Sequence, residues 1–205
     1  MARGAVAVVG AADAEMSDWR YWLIFAIWVV WEGYWGFSSL GVKRATRKEP
    51  WVTRGPVVAG LVLGCVLLLA PGSFGPFFGQ RFLPENDLLY SAGLVLLLSG
   101  VYWAFWARAT LGRNWSGRVT IKEDHELVTS GPYRWVRHPI YTGVLSAFTG
   151  SALALGRVGN LFALTIMLVI FAHKIRLEEQ VLDRHFGKKY ADYRRTTRRI
   201  IPLLW

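Results

Sequence analysis

Gly131-Pro-Tyr-Arg-Trp-Val-Arg-His-Pro-Ile-Tyr-Thr-Gly143 sets Tyr133, Arg137, His138 and Tyr141 at the brink of an apolar run that begins near Ile140. Polar groups gathered at a membrane edge are costly, so such a cluster points to chemistry. Lys174-Ile-Arg-Leu-Glu-Glu-Gln-Val-Leu182 repeats the situation in mirror order, with charges directly after an apolar segment that ends near Phe171. The two clusters bracket one hairpin, which predicts that they face each other.

Each cluster has a bland explanation beside a chemical one. In Arg137-His138-Pro139 the proline suits a first helical turn, where its missing N–H is not needed. The arginine would then snorkel and the histidine cap the helix. Tyr141, one turn on from His138, gathers with Tyr133, His125 and the Glu178-Glu179 pair on the same side of the bilayer, and that shifts the balance toward a site. Glu178 shares a helix face with Lys174, whereas Glu178 and Glu179 diverge by about 100°. One carboxylate is therefore expected to face inward and the other water. Spacing leaves two roles open: a helix-stabilising Lys174–Glu178 pair, or a carboxylate for a cationic or hydroxyl-rich cofactor beside a cation for an anionic substrate.

These residues need a scaffold, and the composition says which kind. Hydrophobic residues make up 53% of the 205, and mean hydropathy is +0.28. They are gathered into runs, as in a membrane protein. Tyr21–Val42, Val57–Phe78, Leu88–Ala107, Ile140–Leu155 and Val158–Ala172 are the expected spans, the last two a tight hairpin broken at Gly156-Arg-Val-Gly-Asn160. Lys plus Arg alternates along the intervening segments: 2 in residues 1–20, 5 in 43–56, 1 in 79–87, 6 in 108–138, 1 in 156–160 and 9 in 173–205. By the positive-inside rule the amino terminus lies outside and both clusters lie in the cytoplasm with the basic tail. The net charge of +10 thus follows from topology, with anionic headgroups rather than nucleic acid as its partner.

The fold expected is all-α, a polytopic membrane bundle of about five transmembrane helices. It divides into an amino-terminal tail (1–18), a three-helix scaffold (19–107) and a half bearing the cofactor pocket on the cytoplasmic side (108–205). The lone Cys65 excludes a disulfide framework or a multi-cysteine metal site and is expected to be an apolar filler. Gly60 and Gly64, and Gly33 and Gly36, let helices approach closely. Trp residues near the span ends, Trp115 among them, are expected to anchor at the interface. Glu32, costly inside the first span, should face the interior or a polar cavity. From His173 onward an amphipathic helix along the headgroup surface is expected, stopped at Gly187.

Gly131-Pro132-Tyr133, Arg137-His-Pro-Ile-Tyr141 with Gly143, Glu178-Glu179, and Phe186-Gly-x-x-Tyr190-x-x-Tyr193 resemble the isoprenylcysteine carboxyl methyltransferase family and its phospholipid methyltransferase relatives, over roughly residues 108–202. The resemblance implies a helical membrane enzyme that binds S-adenosylmethionine and no metal at the cytoplasmic face. It implies cofactor contacts at His125, Glu126, Leu127, Val128, Tyr133, His138, Pro139, Ile140, Tyr141 and Glu178. The family's substrate-contacting arginine, four residues before that glutamate, is here Lys174. Arg137 with Lys174 or Arg176 is then the set that holds an anionic acceptor. The expected activity is methyl transfer to a lipophilic acceptor, a carboxylate first, in the inner membrane of a bacterium. The alternatives are N- or S-methylation of phospholipids or other small molecules, an NADPH-dependent membrane reductase, and a non-catalytic lipid-binding protein. A carboxylate acceptor is already ionised at neutral pH, while an amine needs a base, for which Glu179 is the nearby candidate.

Overall fold

The computed structural model describes residues 19–40, 51–115 and 126–201, and every regular element among them is helical. Five long helices follow in order: α1 Trp19–Ser38, α2 Trp51–Leu69, α3 Asp87–Leu111, α4 Pro139–Leu155 and α5 Val158–Phe186, with a short α6 Lys188–Thr196 after them. Asp87–Asn114 and Val158–Phe186 are long and apolar enough to cross a membrane; Gly55–Leu69 and Pro139–Leu155 are apolar but shorter.

Local chemistry sets the helix ends. Asn86 caps α3 by accepting from the Leu88 and Leu89 amides at 2.8 and 3.3 Å, which satisfies donors left open at a helix start. Pro139 opens α4, and Gly156 closes it in the left-handed region at φ 64°, a conformation cheap for glycine. The turn into α5 is shorter than the pentapeptide expected. Asn160 already lies inside α5, where its Oδ1 accepts from the Arg157 amide at 2.9 Å and its Nδ2 donates to Leu68 O at 2.7 Å.

Two further expectations change. The second span ends at Leu69 rather than Phe78, because prolines at 71 and 76 restart the chain as a 3₁₀ turn and a single helical turn. The amphipathic stretch after His173 is no separate surface helix; it continues α5 unbroken to Phe186, and only at Gly187, φ 52°, does the chain turn into α6. Charged residues raised on the same helix as the apolar span are thereby fixed in phase with it.

The tightest seam joins α3 to α4. A Cβ on Gly100 would stand 2.5 Å from Gly143 O, one on Gly143 2.6 Å from Gly100 O, and one on Gly93 2.6 Å from Gly150 O. Seven-residue spacing in both helices puts each glycine pair on one stripe, so the backbones touch. The glycines expected to let helices approach are others: Gly60 and Gly64 do pack, against Ile170 and Met167 of α5, while Gly33 and Gly36 meet nothing within 4 Å among the described residues. Gly100→Val is expected to cost at least about 3 kcal/mol, since the clash is with backbone that cannot rotate away. Thermal melting in detergent checks this; an unchanged midpoint would contradict the seam.

α1 lies across this pair. Trp28 meets Phe148 edge-on at 4.9 Å and donates to the Ser151 hydroxyl at 3.1 Å, and Trp31 and Tyr34 stack on Phe105. Buried Arg108 joins the carboxyl ends of α1 and α3, donating to Ser38 O and, at 2.8 Å, to Gly112 O, with its guanidinium 4.5 Å over the Trp115 ring. A cation there complements two helix dipoles. Val29, Val30, Val95, Leu98 and Val169 face outward, as a lipid-contacting surface requires.

Candidate active site

Three elements bring the charged clusters together. Pro139 starts α4, so His138 and Arg137 stand at its amino end while Tyr141 projects one turn on. The carboxyl half of α5 carries Lys174, Glu178 and Glu179 past them. The chain after α6 then lies beside residues 135–138.

The two glutamates part as their 100° separation demands, but not into cavity and water. Glu178 lines a cavity of about 380 Å³. Its Oε1 accepts from the Tyr141 hydroxyl, and its Oε2 lies 3.5 Å from His138 Nδ1. Although one of the two is expected to face water, Glu179 is only 6% exposed. Arg137 Nε donates to its Oε1 at 2.9 Å, Arg199 Nε donates to its Oε2 at 3.1 Å, and His138 Nε2 stands 3.5 Å from Oε1. Burial of a carboxylate this deep requires such pairing.

The His138 ring is thus suspended between both carboxylates and stacks on Tyr141 at 5.7 Å, with interplanar angle 8°. Burial by itself would lower its pKa, but the adjacent Glu178 and Glu179 outweigh that and hold it above its ordinary value. Tyr141 stacks in turn on Phe171 at 4.5 Å, with Lys174 Nζ 5.9 Å from its ring centre. The result is a fixed anion at the cavity wall, oriented by a phenol and an imidazole.

Most residues named from the sequence meet in this one cavity. Glu126, Leu127 and Val128 line it, as do Tyr133, Arg137, His138, Ile140 and Tyr141. Lys174 joins Glu178 there from α5. Pro139 is buried behind the wall, Glu179 belongs to the ion pairs, and Arg176 points outward from α5. His125 lies outside the described residues.

The opposite wall was not foreseen. Trp28, Trp31, Glu32 and Trp35 of α1 and Leu61 and Cys65 of α2 line the same cavity, with Phe148, Met167 and Phe171 between the two ends. Cys65 is a wall residue rather than mere filler, and Trp115, expected as an interface anchor, lines the cavity with its ring 5.2 Å from that of Trp35 and tilted by 39°. Glu32 was flagged as facing a cavity, and Trp28, Trp31 and Trp35 fall at i, i+3 and i+7, a one-face spacing that could have marked the wall. Tyr190 and Tyr193 close the charged end from α6, the Tyr193 hydroxyl donating to Tyr133 O at 2.6 Å.

Residues 93–184 match the model of the isoprenylcysteine carboxyl methyltransferase family. That stretch is similar to the isoprenylcysteine carboxyl methyltransferase family. It runs from within α3 to near the end of α5 and so contains Arg137–Tyr141 and Lys174–Glu179. The chain is similar to the protein-S-isoprenylcysteine O-methyltransferase of Schizosaccharomyces pombe, 34% identical over 56% of this chain and 50% of that protein. It is also similar to the enzyme of that name from Tribolium castaneum, 31% identical over 67% of this chain and 51% of that protein. A probable protein-S-isoprenylcysteine O-methyltransferase of Oryza sativa subsp. indica is 31% identical over 60% and 65%. The chain therefore spans between half and 65% of the length of these curated relatives. The solved structure of the eukaryotic intramembrane Ras methyltransferase isoprenylcysteine carboxyl methyltransferase superposes with a TM-score of 0.57 at 27% identity, covering 71% of this chain and 52% of that one. The two spanning-length helices and the likeness to an intramembrane methyltransferase together support an integral membrane protein.

Proposed function

We propose that this chain is an S-adenosylmethionine-dependent methyltransferase that transfers a methyl group, within the membrane, to a lipophilic acceptor whose reacting group is a carboxylate, as in isoprenylcysteine O-methylation. The observation that carries it is one cavity with two unlike ends, one holding Glu178, His138 and Lys174, the other walled mainly by tryptophans and apolar side chains, with Glu32 among them. Donor and lipid acceptor can meet there while the acceptor's apolar part stays in the bilayer.

The donor set fits. S-adenosylmethionine, when bound, supplies an electrophilic methyl on a cationic sulfur, and the Glu178 carboxylate is an anion held ready for a cation. Tyr141 and His138 fix that carboxylate through Oε1 and Oε2. Displacement at such a methyl needs alignment and exclusion of water more than acid–base groups. On the acceptor side, Lys174 lines the cavity, whereas Arg137 lines it but spends its Nε on Glu179 and its Nη1 on carbonyls of Arg194 and Thr197. Lys174 is therefore the cation assigned to the acceptor's carboxylate, a point charge in place of a planar fork. Glu179, held by two arginines away from the cavity, is badly placed as a base for an amine. That favours a carboxylate acceptor over the N-methylation alternative.

The alternation of basic segments supports five crossings with the amino terminus outside, the site at the cytoplasmic face and a bacterial plasma membrane as the setting. The test uses purified protein in detergent with methyl-labelled S-adenosylmethionine and an N-acetylated, S-farnesylated cysteine. Donor binding and base-labile label on the farnesylated acceptor are expected. Absence of donor binding, or NADPH binding in its place, would defeat the assignment.

A further inference from the structure

The family-matched stretch ends at residue 184, yet a segment well beyond it is built into the site. The Arg198 amide donates to Trp135 O at 3.2 Å, the Arg137 amide to Arg198 O at 2.7 Å, and the His138 amide to Arg199 O at 3.0 Å. The Thr142 hydroxyl adds a bond to Ile200 O at 2.6 Å. Thr197–Ile201 is thus strapped along the amino end of α4. From this strap Arg199 places Nε 3.1 Å and Nη2 3.0 Å from Glu179 Oε2, opposite Arg137 on Oε1.

We propose, on the basis of the methyltransferase reading above, that Arg199 is a positioning residue of the donor site, acting through Glu179 to set where Arg137 and the His138 ring stand. Glu179 is the hub: one oxygen faces Arg137 and the imidazole, and the other is held by Arg199 alone among the described ion pairs. Fixing both oxygens stops the carboxylate from rotating. A fixed Glu179 holds one side of the His138 ring, and the other side then presents Nδ1 to Glu178. The Arg199 side chain is 33% exposed, so its charge adds little to stability. Its value lies in orientation.

The groups around His138 are Glu178, Glu179 and, over Tyr141, Lys174 from α5; Tyr141 from α4; Arg137 beside it; Arg199 from the strap; and Tyr190 of α6, close to Glu179 and Arg137. Because the imidazolium form grips Glu178, donor binding is expected to weaken as pH rises through the raised His138 pKa. Removing the Arg199 cation leaves this environment more negative and keeps the imidazolium to higher pH.

The experiment measures S-adenosylmethionine affinity against pH for wild type, Arg199→Gln and Arg199→Lys, with melting temperatures in the same detergent. Arg199→Gln is expected to bind about tenfold more weakly at neutral pH, the loss of one charge-assisted contact, with its alkaline edge moved upward. Arg199→Lys, which keeps the charge, should restore the edge and part of the affinity, and serves as the second variant if the glutamine form does not fold. Wild-type affinity and edge in a folded Arg199→Gln would overturn the role, as would a lowered melting temperature with both unchanged. A wild type that binds no donor would defeat the proposed function itself, and this role with it.

Discussion

Glu178→Gln is expected to weaken S-adenosylmethionine binding by about a hundredfold or more, roughly 2.8 kcal/mol, while the protein stays folded. Glutamine keeps the shape of the side chain and an oxygen to accept from Tyr141, so packing of α4 against α5 is conserved. What disappears is the negative charge at a wall shielded from bulk water, where an ion–ion attraction is far stronger than in solvent. The histidine beside it also loses one of the two carboxylates that favour its protonated form. Isothermal titration of the purified variant reads the affinity, and a melting curve reads the fold. Equal affinity in variant and wild type would remove Glu178 from the donor site.

Arg137→Met carries the second large effect, and it acts on the fold first. The Arg137 and Glu179 side chains are 8% and 7% exposed, and removing Arg137 leaves the buried carboxylate with Arg199 and His138 alone. Breaking a buried pair costs about 3–5 kcal/mol, of which the remaining Arg199 contact offsets a part. Arg137 also donates to the Thr197 and Arg194 carbonyls, so the strap loosens with it. The expected result is a melting temperature lowered by many degrees, with donor binding lost even below the transition. The double variant Arg137→Met, Glu179→Leu should be less damaged in stability than the single one, because the buried carboxylate is gone and Arg199, which is 33% exposed, can turn to water. Additive losses in that cycle would refute direct coupling. Arg137→Lys should fall between, as a lysine cannot serve the carboxylate and the carbonyls together from a planar fork.

Much of the molecule could be read in the chain because its signals are local. A run of apolar residues states its own preference for lipid, and the alternation of Lys and Arg between runs needs no knowledge of which helix touches which. Pro139, Gly156 and Gly187 likewise mark helix ends through their own backbone chemistry. Arg137, His138, Tyr141, Lys174 and Glu178 could be gathered into one candidate site because a single hairpin joins them.

Other features were illegible for equally physical reasons. Adjacency shows that Glu178 and Glu179 must diverge, but the rotation of α5 against α4 chooses which one sees the cavity, and that rotation is set by packing along the whole helix. The arginine on Glu179 comes from position 199, and nothing in the local pattern around it announces a partner twenty residues back. The tryptophans of α1 look like part of a scaffold until α1 is laid across Phe105 and Phe148, and only then does the cavity that Glu32 must face take its place. The sequence alone thus determined a helical membrane chain with two reactive clusters at one end of a hairpin, since hydropathy, charge and capping are properties of neighbouring residues. Tertiary structure decided which side chains share the cavity and which are locked in ion pairs, since helix phase and contacts between distant segments arise only when the close-packed interfaces form together.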